Sequence, residues 1–170
     1  MTDTHSTAPT PADDQAQRTD PEARLRELGH ELPPPPKPVA MYLPALRVGD
    51  LVFVSGQIPM AGGELMAQGR VPTDIDPDMA RRCAVQCTLN ALAAVKAVTG
   101  SLDAVKRVVK LSCFVACEPG FHDQPQVANG ASELLFNVFG EAGRHARAAV
   151  GSVDLPLGVP VEIEFIFEVE

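Results

Sequence analysis

The nine residues from Val161 to Val169 alternate with a period of two. Val161, Ile163, Phe165, Phe167 and Val169 form one apolar row, and Glu162, Glu164 and Glu168 stand in the other. Side chains on a strand point to opposite faces in turn, so this segment buries one face and leaves the other uncovered by the core. The fold must therefore contain a sheet whose two faces are treated differently. The covering layer is legible too. Asp76-Pro77 is a helix start, an N-cap acid followed by proline at the first position. From there to about Val98, residues Val85, Leu89, Leu92 and Val95 share a face, and Gly100 suits the left-handed residue beyond the end. A second helix has Pro125 near its first turn, an apolar face of Val127, Ala131, Leu134, Leu135 and Val138, and Gly140 at its end.

The other strands fall between these helices. Val48-Gly49-Asp50 is a turn, and Leu51 to Val54 is a continuous apolar run that reads as a strand buried on both faces. Ser55-Gly56-Gln57-Ile58-Pro59 ends it, with Gly56 permitting close backbone approach. Gly62-Gly63 is a second turn, with Glu64 to Met66 a short partner strand. Arg107 to Ala116 is a central strand, with Val109, Leu111, Cys113 and Val115 in one row. Ala146–Val150 and Val161–Val169 close the chain. The order β-β-α-β-α-β-β predicts an α+β layer in which two helices pack on one face of a β-sheet. The bare face predicts an oligomer with the sheets facing inward.

Ahead of this domain, residues 1–20 are polar and of low complexity and are expected to be disordered. Residues 21–38 read as a short helix, with Leu25, Leu28 and Leu32 on one face, followed by a proline-rich lead. The domain proper is expected over 39–170, within a chain of 170 residues.

A formal net charge of −8 argues against general nucleic-acid binding, which draws its affinity from Lys and Arg. With no Trp and one Tyr, there is no aromatic platform for stacking bases. No apolar run approaches the roughly 18 residues that span a membrane. The N-terminal segment lacks the order of a secretory or transit signal, so a cytoplasmic protein is expected. The four cysteines fall at Cys83/Cys87 and Cys113/Cys117. Neither spacing is that of a zinc ribbon or knuckle, so they are expected to be buried thiols and no metal or cofactor is expected. Phosphate loops, nucleophile elbows and dinucleotide fingerprints are absent.

The candidate chemistry lies in the last two strands. Arg147 stands among alanines and Glu162 on a β-branched strand, joined through Leu155-Pro156-Leu157-Gly158. Were those strands neighbours, an arginine suited to a substrate carboxylate would lie near a glutamate that handles a proton, both on the bare face. The competing reading is a structural ion pair of Arg147 with Glu162 or Glu164 across strands. His145 reads as a structural histidine.

Ser55-Gly56-Gln57-Ile58-Pro59, Asn129, Arg147 after a His-Ala step, and Leu155-Pro156 followed by Val161-Glu162-Ile163-Glu164 together resemble the RidA family. Its members are reactive-intermediate imine/enamine deaminases, also described as the endoribonuclease L-PSP family. The resemblance covers about Val39 to Glu170, and the lead before it resembles a subfamily with an N-terminal helical and proline-rich extension. It implies a chorismate-mutase-like fold and a homotrimer whose sheets form a barrel, with three sites at subunit interfaces. It further implies that Arg147 binds a substrate carboxylate and that Glu162 positions or activates water. The resemblance also implies that Tyr42, Ser55 and Gly56 help line the pocket and that Asn129 lies beside it. Many members carry a cysteine where this chain has Ala149, so only the backbone there carries over. The implied activity is hydrolysis of 2-aminoacrylate-type imines to 2-keto acids and ammonia, without a cofactor. A trimer that only binds a keto acid is the alternative. A ribonuclease, a label the family has carried, is opposed by the charge.

Overall fold

A computed structural model describes residues 20–35 and 41–170. The expectations for residues 1–19 and for the start of the domain at Val39 lie outside the described residues.

Helix α1, Pro21–Glu27, is capped by Asp20, whose carboxylate accepts from the backbone N–H groups of Glu22 and Ala23. It ends earlier than its leucine pattern suggests, with Gly29 at a φ of 80° just beyond. A seven-residue helix has little stability alone. It is held by burial of Leu25, by a 2.7 Å ion pair between Glu22 and Lys96, and by Arg24 donating to the Asn137 carbonyl.

Strands β1, Ala45–Val48, and β2, Leu51–Gln57, form a hairpin around Gly49-Asp50. The two-residue strands β3, Met60–Ala61, and β4, Glu64–Leu65, pair across Gly62-Gly63. Helix α2, Pro77–Thr99, starts where Asp76 accepts from the Met79 N–H and stops at Gly100 with a φ of 86°. Strand β5, Val105–Ala116, leads to helix α3, Gln124–Phe139, and then to β6, Ala146–Ser152, and β7, Val161–Val169.

The main sheet runs in the order β1-β2-β7-β5-β6, with β5 and β6 parallel and the other pairs antiparallel. Helix α2 lies over β1, β2 and β7, and α3 over β5 and β6. The apolar row of β7 is buried against them as expected. In β5 the buried row is Val108, Leu111, Cys113 and Val115; Val109 is not part of it. Between Val108 and Lys110 the register to β7 slips by one residue, a bulge that changes the phase of the alternation.

The other sheet face is bare. Leu46 is 50%, Phe53 41% and Val150 47% exposed. The run Leu51–Val54 is thus buried on its helix side only, at Val52 and Val54. All four cysteines are free. Cys83, Cys87 and Cys113 are buried, but Cys117, just past β5, is partly exposed. No helix among the described residues is long and apolar enough to cross a membrane.

Candidate functional site

Strand order corrects the picture of Arg147 and Glu162 as neighbours. The strands β6 and β7 are consecutive in the chain, but β5 lies between them. Arg147 registers with Leu111 of β5, whereas Glu162 registers with Phe114. With strands about 4.8 Å apart and a rise of about 3.3 Å per residue, the two positions are separated by roughly 10 Å across the sheet and roughly 10 Å along it. They also point to opposite faces. Leu111 belongs to the buried helix-side row, and Arg147 shares that side; Glu162 follows buried Val161 and points to the bare face. A structural Arg147–Glu162 ion pair within one protomer is ruled out on the same grounds.

Arg147 turns toward α3 at the sheet edge. Its Nη1 donates to Asn129 Oδ1 at 2.8 Å and to Ser132 Oγ at 3.1 Å. Asn129 and Ser132 stand three residues apart, one face of a helix. Nη1 carries two hydrogens, and both are used in these bonds. Among the described residues no carboxylate lies within salt-bridge distance of Arg147, and Nε and Nη2 have no acceptor. The Nε/Nη2 edge is the fork that fits a carboxylate through two parallel bonds. Ala149 lies two residues on in the same row, beside Cys113, and leaves the wall there small.

Glu162 sits against the hairpin. Val54 pairs with Phe165 and Gln57 with Ile163, so Ser55 and Gly56 together oppose Glu164 in a bulge. The bulge carries the Gly56 backbone up to the Glu162 carboxylate. A Cβ on Gly56 would lie 1.9 Å from Glu162 Oε1. Gly56 is therefore a requirement of that approach. Burial pushes the Glu162 pKa above its ordinary value of 4.5, and the negative charge of Glu164 pushes the same way. A carboxylate poised to hold a proton longer than usual is suited to general acid–base work.

Tyr42 and Ser55 gather elsewhere than beside Glu162. They line an open depression of about 420 Å³ on the bare face with Leu46, Phe53, Glu164 and Ile166. Its carboxylate is Glu164. The Ser55 hydroxyl donates to the Leu43 carbonyl at 2.7 Å and its N–H to the Pro44 carbonyl at 3.0 Å, so it ties down the segment carrying Tyr42. One protomer thus separates three groups: Arg147 with Asn129 and Ser132 at the β6 edge, Glu162 against Gly56, and Tyr42 with Ser55 around Glu164 toward the β1–β2 edge. Ser132 escaped the sequence reading, although its spacing of three from Asn129 marks the shared helix face. Among the described residues no group of three or more His, Cys, Asp or Glu side chains could hold a metal ion.

Comparison with known proteins agrees with this architecture. The family model described as "YjgF/chorismate mutase-like, putative endoribonuclease" matches residues 22–168. A protein of unknown function from Agrobacterium tumefaciens, Atu1372, has a crystal structure that superposes with a TM-score of 0.83 at 47% identity, covering 88% of this chain and 92% of that one. Protein TCP17 of Trypanosoma cruzi is 40% identical over 86% of this chain and 92% of its own length. The 2-iminobutanoate/2-iminopropanoate deaminase of Dermatophagoides farinae is 30% identical over 79% of this chain and 91% of its own. With the fold and the family match in agreement over nearly all the described residues, the chain belongs to the YjgF/chorismate mutase-like family, the RidA family that its motifs resemble.

Proposed function

We propose that this protein hydrolyses reactive 2-enamine and 2-imine acids to 2-keto acids and ammonia, in sites built between the protomers of a homotrimer. The observation that carries the reading is the unspent Nε/Nη2 fork of Arg147, held at the sheet edge by Asn129 and Ser132. The deaminase named among the relatives supports the choice of reaction.

Arg147 and Glu162 cannot meet inside one protomer, and β6 and β1 form the two ends of the sheet. Placing the β6 edge of each protomer beside the β1–β2 edge of the next closes a three-fold barrel. It covers the bare apolar face and brings Arg147 to the neighbour's Tyr42, Ser55, Gly56 and Glu162. The guanidinium binds the carboxylate of the imine. An enamine reacts through its imine tautomer. Water adds its oxygen to the C=N carbon and loses a proton to Glu162, while the nitrogen takes up a proton from solvent. The resulting carbinolamine expels ammonia with the proton that Glu162 returns, and the C–OH releases its proton to solvent as it becomes the ketone. General acid–base assistance of this kind is worth on the order of 10²–10⁴ in rate. That suits a reaction already possible in water.

The test is to generate 2-aminoacrylate enzymatically and follow keto-acid formation. Wild type is expected to accelerate it. Arg147→Ala should raise KM on the order of 10²-fold, from loss of a bidentate charge-assisted contact. Glu162→Gln should lower kcat instead. Rates equal to buffer for all three proteins overturn the deaminase. Saturable keto-acid binding without turnover identifies a binding trimer.

A further inference from the structure

Behind Arg147 runs a chain of hydrogen bonds that the reaction does not by itself require. Ser132 Oγ, which accepts from Arg147, lies 3.1 Å from His145 Nε2. His145 Nδ1 in turn lies 2.7 Å from the Gly143 carbonyl oxygen. The donors can be assigned by elimination. A carbonyl only accepts, so Nδ1 carries the hydrogen. Burial lowers the His145 pKa; the Gly143 hydrogen bond pulls it back up and the nearby Arg147 charge lowers it again, and the net downward shift favours the neutral ring. Nε2 then presents a lone pair, and the Ser132 hydroxyl donates to it. That leaves a Ser132 lone pair for Arg147. At the other anchor, Asn129 Nδ2 donates to Gln126 Oε1 at 3.1 Å, which fixes Asn129 Oδ1 toward Arg147.

We propose that Ser132 and His145 are positioning residues that fix which edge of Arg147 faces the substrate. Arg147 stands on an edge strand between Ala146 and Ala148, with no bulky side chain on its own strand to confine it. A free arginine side chain must surrender considerable rotamer freedom to form a bidentate contact. Here the backbone carbonyl of Gly143 fixes the histidine, the histidine fixes the hydroxyl, and the hydroxyl with Asn129 fixes Nη1. The substrate meets a guanidinium already oriented, which lowers the cost of binding. The inference rests on Arg147 as the carboxylate clamp, and it places the contribution of Ser132 and His145 in substrate binding.

The experiment compares wild type, Ser132→Ala, Ser132→Thr and His145→Ala. It measures kcat and KM with 2-aminoacrylate, the Kd for 2-oxobutanoate, and the ¹⁵N spectrum of the His145 ring. Wild type should show the Nδ1–H tautomer. Ser132→Ala and His145→Ala should raise both KM and Kd on the order of tenfold, the worth of one modest hydrogen bond, with kcat nearly unchanged. Ser132→Thr, which keeps the hydroxyl, should restore both. An Nε2–H tautomer in wild type, or a lowered melting temperature in Ser132→Ala with KM and Kd unaltered, overturns the proposal. If wild type binds 2-oxobutanoate in a Ser132-dependent way but turns over no 2-aminoacrylate, the deaminase falls and the positioning role stands. Failure of wild type to bind 2-oxobutanoate overturns both.

Discussion

Gly56 and Glu162 show how much a single side chain decides at this site. The atom a Gly56 Cβ would strike is the far end of the Glu162 side chain. Gly56→Ala is therefore expected to cost little stability, since the carboxylate can swing away, yet to lower kcat sharply because it does swing away. Melting temperature and turnover measured on the same preparation separate the two effects. The raised pKa of Glu162 has its own signature. Between 4.5 and the raised value the folded chain binds more protons than the unfolded one, so the group's contribution to stability falls as pH rises through that window. Glu162→Gln removes the penalty, so its melting temperature relative to wild type should be higher at pH 7 than at pH 4.5. The acid limb of the kcat profile should likewise lie above the ordinary carboxylate range in wild type.

Among the elements, those with long periodic patterns were readable and those without were not. The faces of α2, α3 and β7 follow from their apolar rows. So do the caps, since Asp76 and Gly100 act through their own local geometry. Besides Arg147, strand β6 carries three alanines, one valine, Gly151 and Ser152, so its alternation does not say which side meets the helices; Arg147 took the helix side through Asn129 and Ser132. The insertion of β5 between β6 and β7 is a pairing of segments far apart in the chain, and no local pattern records it. The bulge at Val109 is equally silent, because valine and leucine fill either phase. Helix α1 yields a prediction at this scale. Leu25→Ala removes its one fully buried leucine, a change worth about 2–5 kcal/mol in a core. A seven-residue helix without that anchor should undock as a unit. Hydrogen exchange should then show protection lost over α1 alone, with the proposed deamination unaffected.

The whole molecule is expected to work as an assembly of halves. On the proposed arrangement each site takes Arg147 from one protomer and Glu162 from the next, so Arg147→Ala and Glu162→Gln preparations, each impaired alone, should complement when unfolded together and refolded. Random mixing around a ring intact in one of four pairings at each junction gives roughly a quarter of wild-type activity. No recovery from mixed trimers would overturn the shared site. A different consequence follows from the sulfur atoms inside the core. Burial raises the Cys83 thiol to about 11 and Cys113 to about 12, and pushes Cys87 well above its ordinary value. A thiolate is the species that alkylates, so these three are protected twice, by enclosure and by their protons. Cys117, partly exposed, should take up iodoacetamide first, and the other three together and far later. Mass spectrometry of the labelled protein would then act as a clock: the second step, three additions arriving as one, counts how often the fold opens throughout.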